Sequence, residues 1–421
     1  MNPQKTLDLL REYESRNVTF IDPAGGWPII WERARGMHVW DSSGRRYLDL
    51  TGAFGVAAAG HANPRVVSAG RRQMGKLLHA MGDVHPHQGK AELARALSQL
   101  TFGRWEKNSG TRGKTIFCSS GFEAVEAALK TALLATGRSR IIAFQGGYHG
   151  LGYGALNATH REHFRLPFQR QLSGFADFLP FPRTAAEIDS LEERIAALIK
   201  RKAIGAILVE PVQVRGGINV PPPQFLPMLR QVCDGSKTLL ILDEIYTGFG
   251  RTGKWFACEH AGVSPDLICL GKALTGGFPL SACVGRARVM DAWPLSTGEA
   301  IHTSTFLGHP VGCAMALAQI AEIRGRGLVE HSAKMGRELL KALEKYPSAR
   351  GIGLLAGIEF CHSDGRPATA LTLGVIKEML RLGFILLPEG ADSNVISFTP
   401  PLVISAREIR QTVGALSEAA A

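Results

Sequence analysis

The chain has no apolar run approaching membrane-spanning length. It has no internal repeat and no low-complexity tract beyond its alanine-rich end. The opening Met1-Asn2-Pro3-Gln4-Lys5 leads into a charged amphipathic stretch without the apolar centre of a secretory signal. Cysteine is sparse. Seven thiols lie dispersed at 118, 233, 258, 269, 283, 313 and 361, an odd count with no C-x-x-C pair. That argues against a disulfide framework and for a reducing compartment. A dinucleotide fingerprint is also missing: Gly146-Gly147 lacks the G-x-G-x-x-G spacing, which disfavours a NAD-dependent dehydrogenase. The expectation is a soluble cytoplasmic protein.

Lysine and arginine (48) outnumber aspartate and glutamate (37), giving a net charge of +11. The basic groups are short: Arg45-Arg46, Arg71-Arg72 and Lys200-Arg201-Lys202. Without interleaved aromatics they read as solvated surface, not a nucleic-acid patch. A basic field still favours an anionic cofactor or substrate. His79, His85 and His87 cluster, but no acidic or cysteine partner has useful spacing, so no metal site is expected. A chain of 421 residues with 45% hydrophobic content fits a globular enzyme of two to three domains.

The informative stretch is Leu239 to Gly277. Leu239–Leu242 and Leu267–Leu270 are short apolar runs that read as strands buried on both faces. The first ends in Asp243, the second in Gly271-Lys272. Ligands of open parallel sheets bind beyond such strand ends. A lysine and a carboxylate there have two readings. One is a buried ion pair. The other is a Schiff-base lysine with a carboxylate that keeps a cofactor's pyridine nitrogen protonated.

Similarly, Lys114–Cys118 reads as a strand, followed by Ser119-Ser120-Gly121-Phe122-Glu123 at a helix start. This is either an anion site or a plain serine cap with an acidic first turn. Ser43-Gly44 marks a hairpin turn between Met37 and Leu50. Residues 151–185 read as loop-rich, and Ser281–Val284 as the strand that closes the sheet.

The run Leu242-Asp-Glu-Ile-Tyr-Thr-Gly-Phe-Gly-Arg-Thr-Gly253, followed by Gly271-Lys-Ala-Leu-Thr-Gly-Gly277, resembles the signature of class III aminotransferases. These are pyridoxal-phosphate enzymes of fold type I, similar to 4-aminobutyrate and ornithine aminotransferases. The resemblance runs from about Gly36 to Pro401. It implies an α/β fold, with a large, mostly parallel-sheet domain and a small α+β domain built from both termini. The expected division is 1–55 for an N-terminal segment of the small domain, 56–311 for the large domain and 312–421 for the rest of the small domain.

The resemblance also assigns roles. Lys272 carries pyridoxal 5'-phosphate and moves the substrate's Cα proton, and Asp243 holds the ring nitrogen. Ser120, Gly121 and the backbone of Phe122 form the phosphate cup. Tyr148, in Tyr148-His149-Gly150, stacks on the ring. Gln213, in Glu210-Pro211-Val212-Gln213, approaches the phenolic oxygen, and Ile245 is a further cofactor contact. Thr305 reaches the phosphate of the neighbouring subunit, which implies a homodimer, with pairing into tetramers left open. Trp27 and Phe54 either wall the substrate pocket or are ordinary core aromatics.

The chain departs from the family pattern in places. His309 stands where asparagine is usual. Many members carry an arginine for the substrate's α-carboxylate where this chain has Ser397. The 4-aminobutyrate enzymes have Gly-Glu where this chain has Val214-Arg215. A neutral hydroxyl cannot clamp a carboxylate. Arg215 then either supplies the anion-binding charge from elsewhere or is a structural residue. The function implied is a ping-pong transfer of an amino group from an amine or amino acid to a keto acid or aldehyde. The same core also serves aminomutases, racemases and decarboxylases. A catalytically silent binding protein is disfavoured because Lys272, Asp243 and the phosphate cup are all retained. Small-molecule partners are expected, with no nucleic acid and no membrane.

Overall fold

The computed structural model describes residues 3–23, 25–107 and 110–420. The alternating stretch before residue 50 forms three antiparallel strands: β1 (Trp31–Arg35), β2 (His38–Asp41) and β3 (Arg46–Asp49). The β2–β3 turn falls at Ser43-Gly44, where Gly44 has φ of 84° and a side chain would be strained. The Asp41 carboxylate closes that turn, accepting the N–H groups of Ser43 (2.9 Å) and Arg45 (3.0 Å).

The chain then builds the central sheet from β4 (Gly113–Cys118), β5 (Arg140–Phe144), β6 (Ala176–Leu179), β7 (Ile204–Val209), β8 (Leu239–Asp243), β9 (Leu267–Leu270) and β10 (Ser281–Arg286). Their order is β4-β10-β9-β8-β7-β5-β6. From β9 across to β6 every pairing is parallel, whereas β10 runs antiparallel to both of its neighbours. All residues of β7 and β9 are buried, as expected of strands covered by helices on both faces. Large apolar clusters fill those two interfaces.

Two expectations need correction. Ser281–Val284 does not close the sheet, because β10 is inserted between β9 and β4. The 151–185 stretch is not all loop. It contains the helix Tyr153–Ala158 and the edge strand β6. At an edge, only one neighbour constrains the pattern, and Ala-Asp-Phe-Leu carries little alternation to read.

The remaining strands are β11 (Arg350–Ile352), β12 (Leu355–Glu359), β13 (Phe384–Ile385), β14 (Leu387–Glu389) and β15 (Val395–Phe398). Four form a sheet in the order β11-β12-β15-β14, while β13 pairs parallel with β3. The two ends of the chain therefore share one α+β layer.

Arg251 stitches this layer to the glycine-rich stretch after β8. It is 2% exposed. Its guanidinium donates to the carbonyls of Leu354 (2.9 Å) and Pro400 (2.5 Å). Burial lowers its pKa to about 10, so it stays cationic at neutral pH. Replacing Arg251 with Ala leaves buried carbonyls unpaired and opens a cavity. The expected loss is about 3–5 kcal/mol, read as a lower midpoint in denaturant. An unchanged midpoint would remove Arg251 from this role.

Candidate active site

Three neighbouring strands deliver charged groups to one edge of the central sheet. Glu210 follows β7, Asp243 ends β8, and Gly271-Lys272 follows β9. The register pairs Val209 with Leu242 and Asp243 with Cys269, which brings all three groups to the same carboxyl end. There a cavity of about 670 Å³ opens, with Asp243, Lys272, Glu210, Tyr148, Ile245 and Arg215 in its wall. That volume suits a small-molecule site.

Lys272 has φ of 41°, a left-handed conformation that costs a side-chain-bearing residue roughly 1–2 kcal/mol. Its Nζ lies 4.5 Å from the centroid of the Tyr246 ring. Burial pushes the Lys272 ammonium below the ordinary lysine range, against the opposing pull of Asp243 and Glu210. A lysine held this way loses its proton more readily and becomes a usable nucleophile and base.

Asp243 is fixed from two sides. Its Oδ2 lies 2.8 Å from Nδ1 of the buried His149, and its Oδ1 accepts the Ile245 N–H at 3.1 Å. Glu210 accepts the Tyr148 N–H at 2.9 Å and the Val214 N–H at 3.3 Å. Burial and the nearby Asp243 charge push the Glu210 carboxyl up to about 7, partly offset by His149. His149 and Glu210 were not singled out by the sequence reading. Glu210 could have been, since it follows a buried parallel strand just as Asp243 ends one.

At the end of β4, the helix Gly121–Thr136 begins. The Glu123 carboxylate takes the N–H groups of Ser119 (2.7 Å) and Ser120 (2.8 Å). The first N–H groups inside the helix have no intrahelical acceptor. Ser120 Oγ is buried; it faces the Glu123 N–H in a capping box, and its own proton has no acceptor. A Cβ on Gly121 would sit 3.1 Å from the Ile245 side chain, so any other residue there would have to push Ile245 back by a few tenths of an ångström. A hydroxyl proton without an acceptor, beside free N–H groups at a helix N-terminus, fits a phosphate.

The family profile of "Aminotransferase class-III" matches residues 21–420. The chain belongs to the class III aminotransferases. Acetylornithine aminotransferase of Methanosarcina mazei is 36% identical over 94% of this chain and 92% of its own. Putrescine aminotransferase of Pectobacterium atrosepticum is 36% identical over 96% of this chain and 85% of its own. An amine transaminase from an uncultivated Pseudomonas species, solved with pyridoxal phosphate bound, superposes with a TM-score of 0.87 at 30% identity, covering 97% of this chain and 98% of that one. This class III aminotransferase is accordingly a pyridoxal-phosphate enzyme of fold type I.

The structure gathers Phe54, Gly121, Phe122, Tyr148, Arg215, Asp243, Ile245 and Lys272 around the cavity. Ser120 lies next to Gly121 at the same helix start. Other residues of the sequence reading lie elsewhere. Trp27 packs on the cluster of Val39, Tyr47, Leu380 and Ile385. The Gln213 amide donates to the Gln145 carbonyl (2.8 Å) and accepts from Asn219 (3.1 Å), and it lines a neighbouring cavity of about 570 Å³. Thr305 is exposed and does not line this cavity. Ser397 is buried, its hydroxyl donating to the Leu387 carbonyl at 3.1 Å.

The raised Glu210 carboxyl has a consequence for stability. Its folded pKa of about 7 lies above the ordinary 4.5, so the folded state holds a proton that the unfolded chain has released. That stabilisation is complete below the ordinary value and is lost as pH rises through 7. In cofactor-free protein, Glu210→Gln should flatten the decline of stability between pH 4.5 and about 7 by about 3 kcal/mol. Denaturant unfolding across that range would show it. An unchanged slope would contradict the assignment.

Proposed function

We propose that Lys272 and Asp243 are the catalytic pair of this aminotransferase, and that it passes an amino group from an amine or amino acid to a keto acid or aldehyde. The observation that carries this reading is one cavity wall holding a lowered-pKa lysine and an oriented carboxylate, with a helix start at Gly121 on the same wall and the buried Ser120 hydroxyl next to it. When bound, pyridoxal phosphate supplies the electron sink for the bond broken at the substrate's Cα. The chain does the rest. Ser120 Oγ and the N–H groups of Gly121 and Phe122 hold the phosphate. Asp243, braced by His149, keeps a proton on the ring nitrogen. Tyr148 and Ile245 supply the ring's walls, and Gln213 stands near them on the adjacent cavity. Lys272 Nζ would take the proton from the substrate's Cα and return it two bonds away, to the carbon on the far side of the amino nitrogen.

The relatives named above act on acetylornithine and putrescine, at equal identity to this chain. Overall similarity therefore does not choose a substrate, and the cavity wall must. Ser397 is committed to Leu387, and the cation on the wall is Arg215. We assign Arg215 as the anion-binding residue for acidic substrates, with Phe54 limiting the pocket, while Trp27 packs as a core aromatic away from it.

We further propose a homodimer in which Thr305 serves the neighbouring subunit's phosphate. Support comes from exposed Leu78, Met81, Ile301 and Phe306, with His79 and Phe306 in ring contact. The division at residues 55 and 311 and a cytoplasmic location complete the proposal. All seven cysteines are unpaired, which suits a reducing compartment.

Replacing Arg215 with Ala should raise KM for acidic substrates about ten- to hundredfold, the worth of one charge-assisted contact, and leave neutral amines unchanged. Steady-state kinetics with glutamate and with a simple aryl amine would check it. Equal losses for both would overturn the assignment.

A further inference from the structure

Arg215 is not a free cation. Its Nε lies 3.5 Å from Oε2 of Glu389, the last residue of β14. The Glu389 side chain is 1% exposed, while that of Arg215 is 28% exposed at the cavity wall. The contact is loose. A well-formed guanidinium–carboxylate pair is closer, about 2.7–2.9 Å, and often bidentate. Here neither Arg215 Nε nor Glu389 Oε2 has a hydrogen-bond partner. The guanidinium carbon instead lies 5.5 Å from the Tyr148 ring centroid. Arg215 is thus shared between a buried acid behind it and the open cavity in front.

The groups facing Glu389 come from separate parts of the chain. Arg215 lies beyond β7 and Arg161 beyond the helix Tyr153–Ala158. Lys272 lies beyond β9, and the Tyr246 phenol beyond β8. The local backbone holds the two partners in place, with the Gly390 N–H donating to the Arg215 carbonyl at 3.2 Å. With Glu389 ionised, Arg215 and Arg161 present about one net positive charge; with it neutral, about two.

We propose that Glu389 is the internal counter-ion of Arg215, and that a substrate carboxylate binds by taking its place on that guanidinium while Glu389 takes up a proton from solvent. This rests on the reading of Arg215 as the anion-binding residue. The proton balance follows from burial. A carboxylate stripped of its cation in a site that is 1% exposed is too poorly solvated to stay charged. The free Glu389 is already close to that point. Burial raises its carboxyl to about 7, against the pull of Arg215, Arg161 and Lys272. Losing Arg215 to a competing anion raises it further. Acid binding then weakens as pH climbs above 7, because the proton must be drawn from a scarcer supply. A neutral amine leaves the pair intact and pays no such penalty.

The test uses the holoenzyme and glutarate, a dicarboxylate with no amine or carbonyl to react. Its binding is measured by calorimetry at several pH values, in two buffers of different ionisation enthalpy. Wild-type protein should take up a proton fraction that approaches about one by pH 8, with Kd rising up to about tenfold per pH unit above 7. In E389Q the uptake and the slope should vanish, and glutarate should bind about tenfold more tightly at pH 8. Glutarate binding to wild type without proton uptake overturns the inference, even if E389Q does not fold. R215A binding glutarate as tightly as wild type overturns the underlying reading of Arg215 instead.

Discussion

The structure depends on the parallel register of β7, β8 and β9. Because Val209 pairs with Leu242 and Asp243 with Cys269, the chain has no choice but to release Glu210, Asp243 and Lys272 on one edge. The strands themselves are almost wholly buried, so the first polar residue of each appears where the sheet ends. Two acids and one base are thereby forced into a common low-dielectric space. Everything else near the cavity can be understood as a response to that crowding.

The response is distributed. His149 and the Ile245 N–H brace Asp243. Backbone N–H groups of Tyr148 and Val214 hold Glu210 without adding a full charge. Lys272 is depressed by burial and partly restored by its acidic neighbours. One layer further out, Arg215 and Arg161 face Glu389. A cofactor phosphate and a substrate carboxylate would add negative charge to a wall where Arg215 and Lys272 face Glu210 and Asp243. The basic balance of the whole chain, +11, acts in the same direction at longer range.

Much of this was legible in the sequence, for physical reasons. Short apolar runs ending in Asp243 and in Gly271-Lys272 read as buried strands, which leaves an ion pair or a functional pair at their ends, and small residues before a helix read as an anion site or a plain cap. Their class III resemblance then named the chemistry. What was hidden lay where local pattern is weak. Glu389 sits on a three-residue strand, far along the chain from Arg215, and no spacing rule links the two. The edge strand β6 carries too little alternation to stand out. Gln213 and Trp27 could be placed by likeness only, and in the structure each meets other neighbours. The antiparallel insertion of β10 is a matter of topology, which four apolar residues do not encode.

The most direct test of the account is to trap the cofactor where it is attached. Holoenzyme would be reduced with borohydride, digested and mapped by mass spectrometry. The account predicts the cofactor mass on the peptide containing Lys272, and its loss when donor amine is added before reduction. Attachment at any other lysine, or label at Lys272 that no amine removes, would contradict the assignment of Lys272 as the residue that carries the cofactor and surrenders it to the substrate.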